Sequence, residues 1–389
     1  MVQAHTTNGF RTYRVLKHIF VGQTAGGATS NATSIVDTNV ALTFDPTKVI
    51  KYRTTNTSTL TTTLGTKVGI GTEATGKNSV TMMFGGTSGT NTVAFRGVVQ
   101  LYGCTLLSNF SGGTQALQFI SQTTGAGSGM FNCIFQGFSG YVLGSSGAFV
   151  DTMYNVDITG DPSAIAGVIT SFFVTTAERI TVGTSSGGYM MLSATSGITM
   201  KDCALFGTPA LASFNSTGAD VGWKLVRPVW ASGVNKFNGT GTTVGGTGGP
   251  HEYWMFDAKV VNGAGTAISG VPIRLTDTLG NVQVDTTTGS NGEIAFGSGL
   301  TASAVITVDW SGSGAGGTLT AGHRSPFLCE VNLPTMTSYN SNYQSKRFYF
   351  NWPGYETVTT SAGSFEDVNM VISLSDPTGT PTIWTEASL

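Results

Sequence analysis

The chain has 389 residues, with 19 Lys and Arg against 21 Asp and Glu, and its formal net charge of −2 leaves no basic footprint for nucleic acid. Only 10% of residues are charged, 40% are hydrophobic and Gly numbers 54, which is too apolar for disorder and too poor in Lys and Glu for a helical protein. No run approaches 18 apolar residues and the first residues lack the apolar core of a signal peptide, so the expectation is no membrane insertion and synthesis in the cytoplasm.

Residues 1–60 open with Phe10, Tyr13, Val15, Ile19 and Phe20 in a weakly basic setting, followed by a low-complexity Gly- and Thr-rich stretch. So small an apolar set cannot form a core of its own, and this segment is expected to cap or attach the rest of the chain.

From residue 61 to 235 one pattern recurs, an aliphatic or cysteine residue followed two positions later by another apolar one. Its lead residues are Val80, Cys104, Cys133, Val156, Ile180, Cys203 and Val226, separated by 24, 29, 23, 24, 23 and 23 residues. A period near 23 residues, with apolar and polar residues alternating and Gly, Ser, Thr and Asn between, predicts coils of short strands stacked as a parallel β-solenoid. Seven coils at ~4.8 Å give a rod of roughly 34 Å. The long interval before Cys133 is filled by Gln122-Thr-Thr-Gly-Ala-Gly-Ser-Gly129, which has the composition of a loop. These ladders resemble the right-handed parallel β-helix of phage tailspikes, pectin-degrading enzymes and bacterial adhesins.

Trp223, Pro228 and Trp230 are expected to close the last coil, and residues 236–253, rich in Gly and Thr, read as a linker. Residues 254–376 then show strands and tight turns at the spacing of a β-sandwich, ahead of a tail at 377–389. The run Val271-Pro-Ile-Arg-Leu275, a turn at Gly280, Gly292-Glu-Ile294, and Pro353-Gly-Tyr355 before Val368-Asn-Met-Val-Ile-Ser-Leu374 resembles the carboxypeptidase regulatory-like domain, of the transthyretin-like and immunoglobulin-like kind. The resemblance implies an accessory module without catalytic residues, and Ser311 to Ser345 departs from it as an insertion. The expected fold is therefore all-β, a right-handed parallel β-helix followed by an Ig-like sandwich.

Candidates for chemistry are few. The cysteines lack a CxxC pair, and the four histidines, at 5, 18, 251 and 323, lie away from them in sequence, so neither a metal nor a cofactor is expected. Asp151, Asp157 and Asp161 flank Tyr154 and form the carboxylate cluster that a glycan hydrolase would need. Applying the period places Glu178 beside Lys201 and Arg179 beside Asp202 as stacked ion pairs. The column two residues before each lead holds Tyr102, Phe131 and Tyr154, then Glu178, Lys201 and Lys224, and its three aromatics are a candidate glycan-binding ladder.

Two functions follow as expectations. One is a non-enzymatic structural protein on the outside of a phage virion, as capsid decoration, head fibre or tail fibre, forming a homotrimer and docking on capsid or tail proteins. The other is a polysaccharide-binding or polysaccharide-cleaving tailspike or adhesin with a host-surface glycan as partner.

Overall fold

The computed structural model describes residues 2–7, 10–15, 20–21, 41–42, 49–53, 58–61, 67–70, 76–77, 80–86, 90–96, 98–110, 114–120, 129–138, 150–160, 169–170, 174–183, 190–192, 199–206, 212–216, 224–230, 235–239, 251–294, 304–311, 317–318, 320–359 and 363–375. These residues are all-β, with one 3-10 turn at Tyr355–Thr357 and no α-helix among them. The chain divides into two units, the first Met1–Pro250 with Trp310–Thr320 and Thr359–Ala362, the second the remainder. Both parallel and antiparallel pairings occur.

In the first unit, strands one repeat apart pair in parallel and in register. One run of pairings joins Lys67–Ile70, Val98–Tyr102 and Gly129–Phe131, then passes through Val150–Gly160 and Val174–Gly183 to Thr199–Lys201 and Lys224–Val226. A second joins Val80–Gly86, Cys104–Phe110 and Ile134–Phe138, then the later parts of the same two long strands, and ends at Ala204–Phe206 and Val229–Trp230. Further parallel pairs link Ser58–Thr61, Thr90–Arg96 and Thr114–Ile120, and separately Ile169–Thr170, Met190–Leu192, Ala212–Ser216 and Asn235–Gly239.

The stacking starts earlier than the repeat pattern suggests, because Phe20–Val21 already pairs with the strand Val49–Arg53, which in turn pairs with Val80–Gly86. Ahead of it, Val2–Thr7 and Phe10–Val15 form an antiparallel hairpin. The stacking also runs past residue 235. Asn235–Gly239, placed by composition in the linker, is a strand whose Lys236 is fully buried with its ammonium 5.4 Å from the ring centres of both Trp230 and Trp310. Residues 240–250 and the loop 121–128 lie outside the described residues, as do Trp223 and the tail 377–389.

Two inward columns make the core of this unit. Leu101, Met130, Met153, Ala177, Met200 and Leu225 form the first, and Cys104, Cys133, Val156, Ile180 and Cys203 the second, all 0 or 1% exposed. Parallel pairing of equivalent positions buries these apolar side chains against the same column of the neighbouring strand. The last coil corrects the sequence pattern. Lys201 pairs with Val226 and Ala204 with Val229, so Pro228, not Val226, occupies the column of Cys203. Both Val226 and Pro228 are buried, and the spacing pattern fits either; the true offset there is two residues longer.

In the second unit, Pro272–Thr276, Val282–Thr287, Phe327–Val331 and Lys346–Phe350 form a four-stranded antiparallel sheet. His251–Asn262 alternates half-buried and buried residues and pairs in parallel with Val368–Leu374. Its first residues therefore belong to a strand and not to a linker. Phe256, Ile273, Leu275, Phe327, Cys329, Val331, Trp352 and Phe365 are buried to 1% or less, and Phe327 meets Trp352 edge-on at 5.1 Å. The segment expected as an insertion, Ser311 to Ser345, supplies Phe327–Val331, which lies inside this sheet between Pro272–Thr276 and Lys346–Phe350.

Candidate functional site

Between the two inward columns, from residue 103 to 227, six successive corners each turn on one residue with positive φ: Gly103 at 65°, Asn132 at 55°, Asn155 at 54°, Arg179 at 56°, Asp202 at 53° and Arg227 at 49°. A single left-handed residue between two extended ones redirects the strand, and the cost for a residue with a Cβ is about 1–2 kcal/mol, least for Asn and Asp. Their side chains form a polar ridge. Asn155 Nδ2 donates to Asn132 Oδ1 at 2.7 Å, and Arg227 grips Asp202 in a fork, Nε to Oδ1 at 2.6 Å and Nη2 to Oδ2 at 2.8 Å.

The residue before each corner is the column that holds the three aromatics. Tyr102 and Phe131 stack with ring centres 4.9 Å apart and planes 11° from parallel. Tyr102 is only 8% exposed, and Tyr154 carries the Arg179 guanidinium 5.4 Å above its ring while its hydroxyl accepts a hydrogen bond from Arg179 Nη1 at 2.6 Å. Each of the three therefore has one ring face engaged within the chain. Lys224 does not belong to this column: it pairs with Thr199, and Val226 takes the place beside Lys201.

The carboxylates of the ridge are matched by cations. Lys201 Nζ lies 3.6 Å from Glu178 Oε1, on strands where Glu178 and Lys201 are direct partners. Arg179 and Asp202 occupy equivalent corners, but their side chains reach opposite ways, Arg179 to Tyr154 and Asp202 to Arg227, so the expected pair between them is replaced by two others. Asp157 pairs with Lys77 at 2.8 Å, a partner the period did not reveal because Lys77 sits outside the repeated pattern. The side chain of Asp151 and the whole of Asp161 lie outside the described residues. A glycosidase needs two carboxyl groups facing one bond, one of them protonated near neutrality. Asp157, Glu178 and Asp202 each lie beside a lysine or arginine. Among the described residues no group of three or more His, Cys, Asp or Glu is placed to hold a metal ion.

The thiols of the inward column form no disulfide and are buried. Burial pushes Cys203 up to about 12, and Cys104 is held well above the usual thiol range by its hydrogen bond with Cys133 and by burial. Cys104 and Cys203 are therefore poor nucleophiles and behave as small apolar residues, whereas at Cys133 burial is outweighed by hydrogen bonds with Cys104, which hold it below the usual thiol range.

The second unit holds a network absent from the sequence reading. Asp277 ends the strand Pro272–Thr276 with its side chain fully buried, and Oδ1 accepts from the amides of Leu279 at 2.9 Å and Asn281 at 2.8 Å. Its Oδ2 accepts from Asn281 Nδ2, Gln283 Nε2 and Arg324 Nη1 at 3.1, 2.9 and 2.9 Å. Arg324 also pairs with Asp309, whose other oxygen meets His251 Nδ1 at 2.5 Å across directly opposed strand positions. Burial by itself would raise Asp309, but the hydrogen bond and charge of His251, with Arg324, hold it below the usual carboxylate range. Tyr253 is pushed up by burial and by the Asp309 charge. The cluster fixes the hairpin turn and the start of the first strand. A shallow hollow of about 440 Å³, lined by Asp257, Lys259, Glu293, Asn369, Met370 and Val371, opens on this unit, with Lys259 and Glu293 paired at 3.4 Å.

Only the Asp277-to-Asn281 turn was visible in the sequence, as the tight turn at Gly280. His251, Asp309 and Arg324 are separated by tens of residues, and no local signal joins them. Compared with protein-family models, curated proteins and solved structures, the chain has no match.

Proposed function

We propose that the chain is a non-enzymatic structural protein on the outside of a phage virion, a right-handed parallel β-helix followed by an immunoglobulin-like sandwich. The observation that carries the non-enzymatic part is the matching of outward charge: Asp157, Glu178 and Asp202 each face a Lys or Arg, and the aromatic column is engaged within the chain. Such a surface is built for stability along the stack and not for binding a substrate. In-register parallel strands one repeat apart support the β-helix reading, since each coil buries its columns against the next. On this reading the chain acts as a homo-oligomer, a trimer, docked on capsid or tail proteins as decoration or fibre, and the placement on a virion rests on architectural likeness and charge-poor composition.

The test sets this against a polysaccharide-cleaving tailspike. Purified protein incubated with capsular polysaccharide and lipopolysaccharide is assayed for new reducing ends and unsaturated sugars. No product is expected from the wild type. Product that disappears in Asp157→Asn establishes the depolymerase instead.

A further inference from the structure

The outer face of the four-stranded sheet in the second unit carries two adjacent rows that cross all four strands. Strand register places Asp285 beside Arg274, Arg274 beside Glu330, and Glu330 beside Arg347. The charges read minus, plus, minus, plus from one edge to the other. Within the chain Arg274 Nη2 meets Asp285 Oδ2 at 2.8 Å and Arg347 Nε meets Glu330 Oε1 at 3.3 Å, with side-chain exposures of 52% for Asp285, 34% for Arg274, 14% for Glu330 and 58% for Arg347. Two residues along three of the strands, and three along Val282–Thr287 where the pairing has a bulge, lies a row of Val282, Thr276, Leu328 and Tyr349, with Thr276 and Leu328 half-buried between its open ends. Val282 is 54% and Tyr349 67% exposed, and Leu279, at 66%, continues this patch onto the adjoining turn. Aliphatic and aromatic side chains this open on one edge-to-edge row mark a contact surface.

We propose that this face binds the same face of a second copy of the chain, about a two-fold axis lying between the sheets and parallel to the strands. That rotation reverses strand order and keeps position along the strand. The charged row then meets itself inverted: Asp285 faces the partner's Arg347, and Arg274 faces the partner's Glu330. Every charge meets its opposite. The apolar row likewise meets itself, with Val282 against the partner's Tyr349 and Thr276 against the partner's Leu328. A two-fold axis across the strands would press the charged row onto the apolar one and bury ions without partners. A two-fold contact uses one patch twice, and the row's alternation over an even number of strands is what makes it self-complementary.

Four strands at ~4.8 Å spacing cover far less than the roughly 800 Å² per partner of a standard interface, so the contact is weak and salt-sensitive, and it gains strength where copies are already held close. It does not depend on where the protein resides.

The experiment uses the full chain and two single charge reversals, Arg274→Glu and Glu330→Arg. Sedimentation velocity over a concentration series at low salt is expected to show an association step that weakens at least tenfold in either variant and at high salt. An equimolar mixture of the two is expected to regain it, because glutamate at 274 then faces the partner's arginine at 330. Circular dichroism and Trp fluorescence are expected to match wild type, so loss of association does not come from unfolding. Variants that associate as wild type does, a mixture no stronger than either variant alone, or a wild type without this step all overturn the proposal.

Discussion

At the scale of single residues, the first unit depends on side chains that accept a left-handed backbone. Asn155 combines φ of 54° with a hydrogen bond to Asn132, and substitution separates the two contributions. Asn155→Gly keeps the backbone and loses one hydrogen bond, an expected loss of about 1 kcal/mol. Asn155→Ala loses the same hydrogen bond and leaves a Cβ in the left-handed region without the short polar side chain that lets Asn tolerate it, and about 2–3 kcal/mol is expected. Chemical denaturation of both variants checks the order, and equal losses would remove the conformational argument. The buried thiols add a pH dependence. With Cys203 and Cys329 raised from 9.0 to about 12 by burial, the unfolded chain releases protons first as pH rises. Their contribution is complete below pH 9 and declines between about 9 and 12, at about 1.4 kcal/mol per pH unit for each thiol. Replacing Cys203 by Val, the residue type found at the same column position two coils earlier as Val156, is expected to make the fall in unfolding midpoint shallower over that range.

At the scale of elements, the lead column was legible because period and alternation agree over successive coils. What the pattern could not give was the last register. Val226-Arg-Pro228 satisfies the same apolar spacing as the coils before it, and only the left-handed Arg227 opposite Asp202 marks where the corner falls. A signal for the corners was present as Gly103, Asn132 and Asn155 just before their lead residues, but Arg179 and Arg227 hide it, since arginine has no preference for that backbone. In the second unit the turns at Gly280, Gly292 and Gly354 were readable, and Gly354, with φ of 85°, would place a Cβ 2.2 Å from the Ser364 carbonyl oxygen. The loop after Phe327–Val331 was not readable. It is organised by Asn332, fully buried, whose Nδ2 donates to the carbonyls of Asn340 at 2.8 Å and Tyr343 at 2.9 Å, and whose Oδ1 accepts from the Asn340 amide at 2.8 Å. Asn332→Ala strands these groups and is expected to cost about 3 kcal/mol, seen as early protease cleavage at 333–345 and a lower unfolding midpoint.

At the scale of the whole molecule, each unit has its own buried core, and in the first the outward carboxylates placed by the structure are tied to cations along the stack. On the proposed reading that economy of exposed charge fits a protein that holds a shape, with each repeat ordered by its neighbours. The most direct measurement is quantitative mass spectrometry of density-purified phage particles from cells expressing the chain, paired with antibody labelling of intact particles under the electron microscope. The account predicts peptides from both units at a fixed copy number per particle, and label on the particle surface. A chain found only in the soluble lysate, or on particles at a copy number that falls to zero with washing, would contradict it.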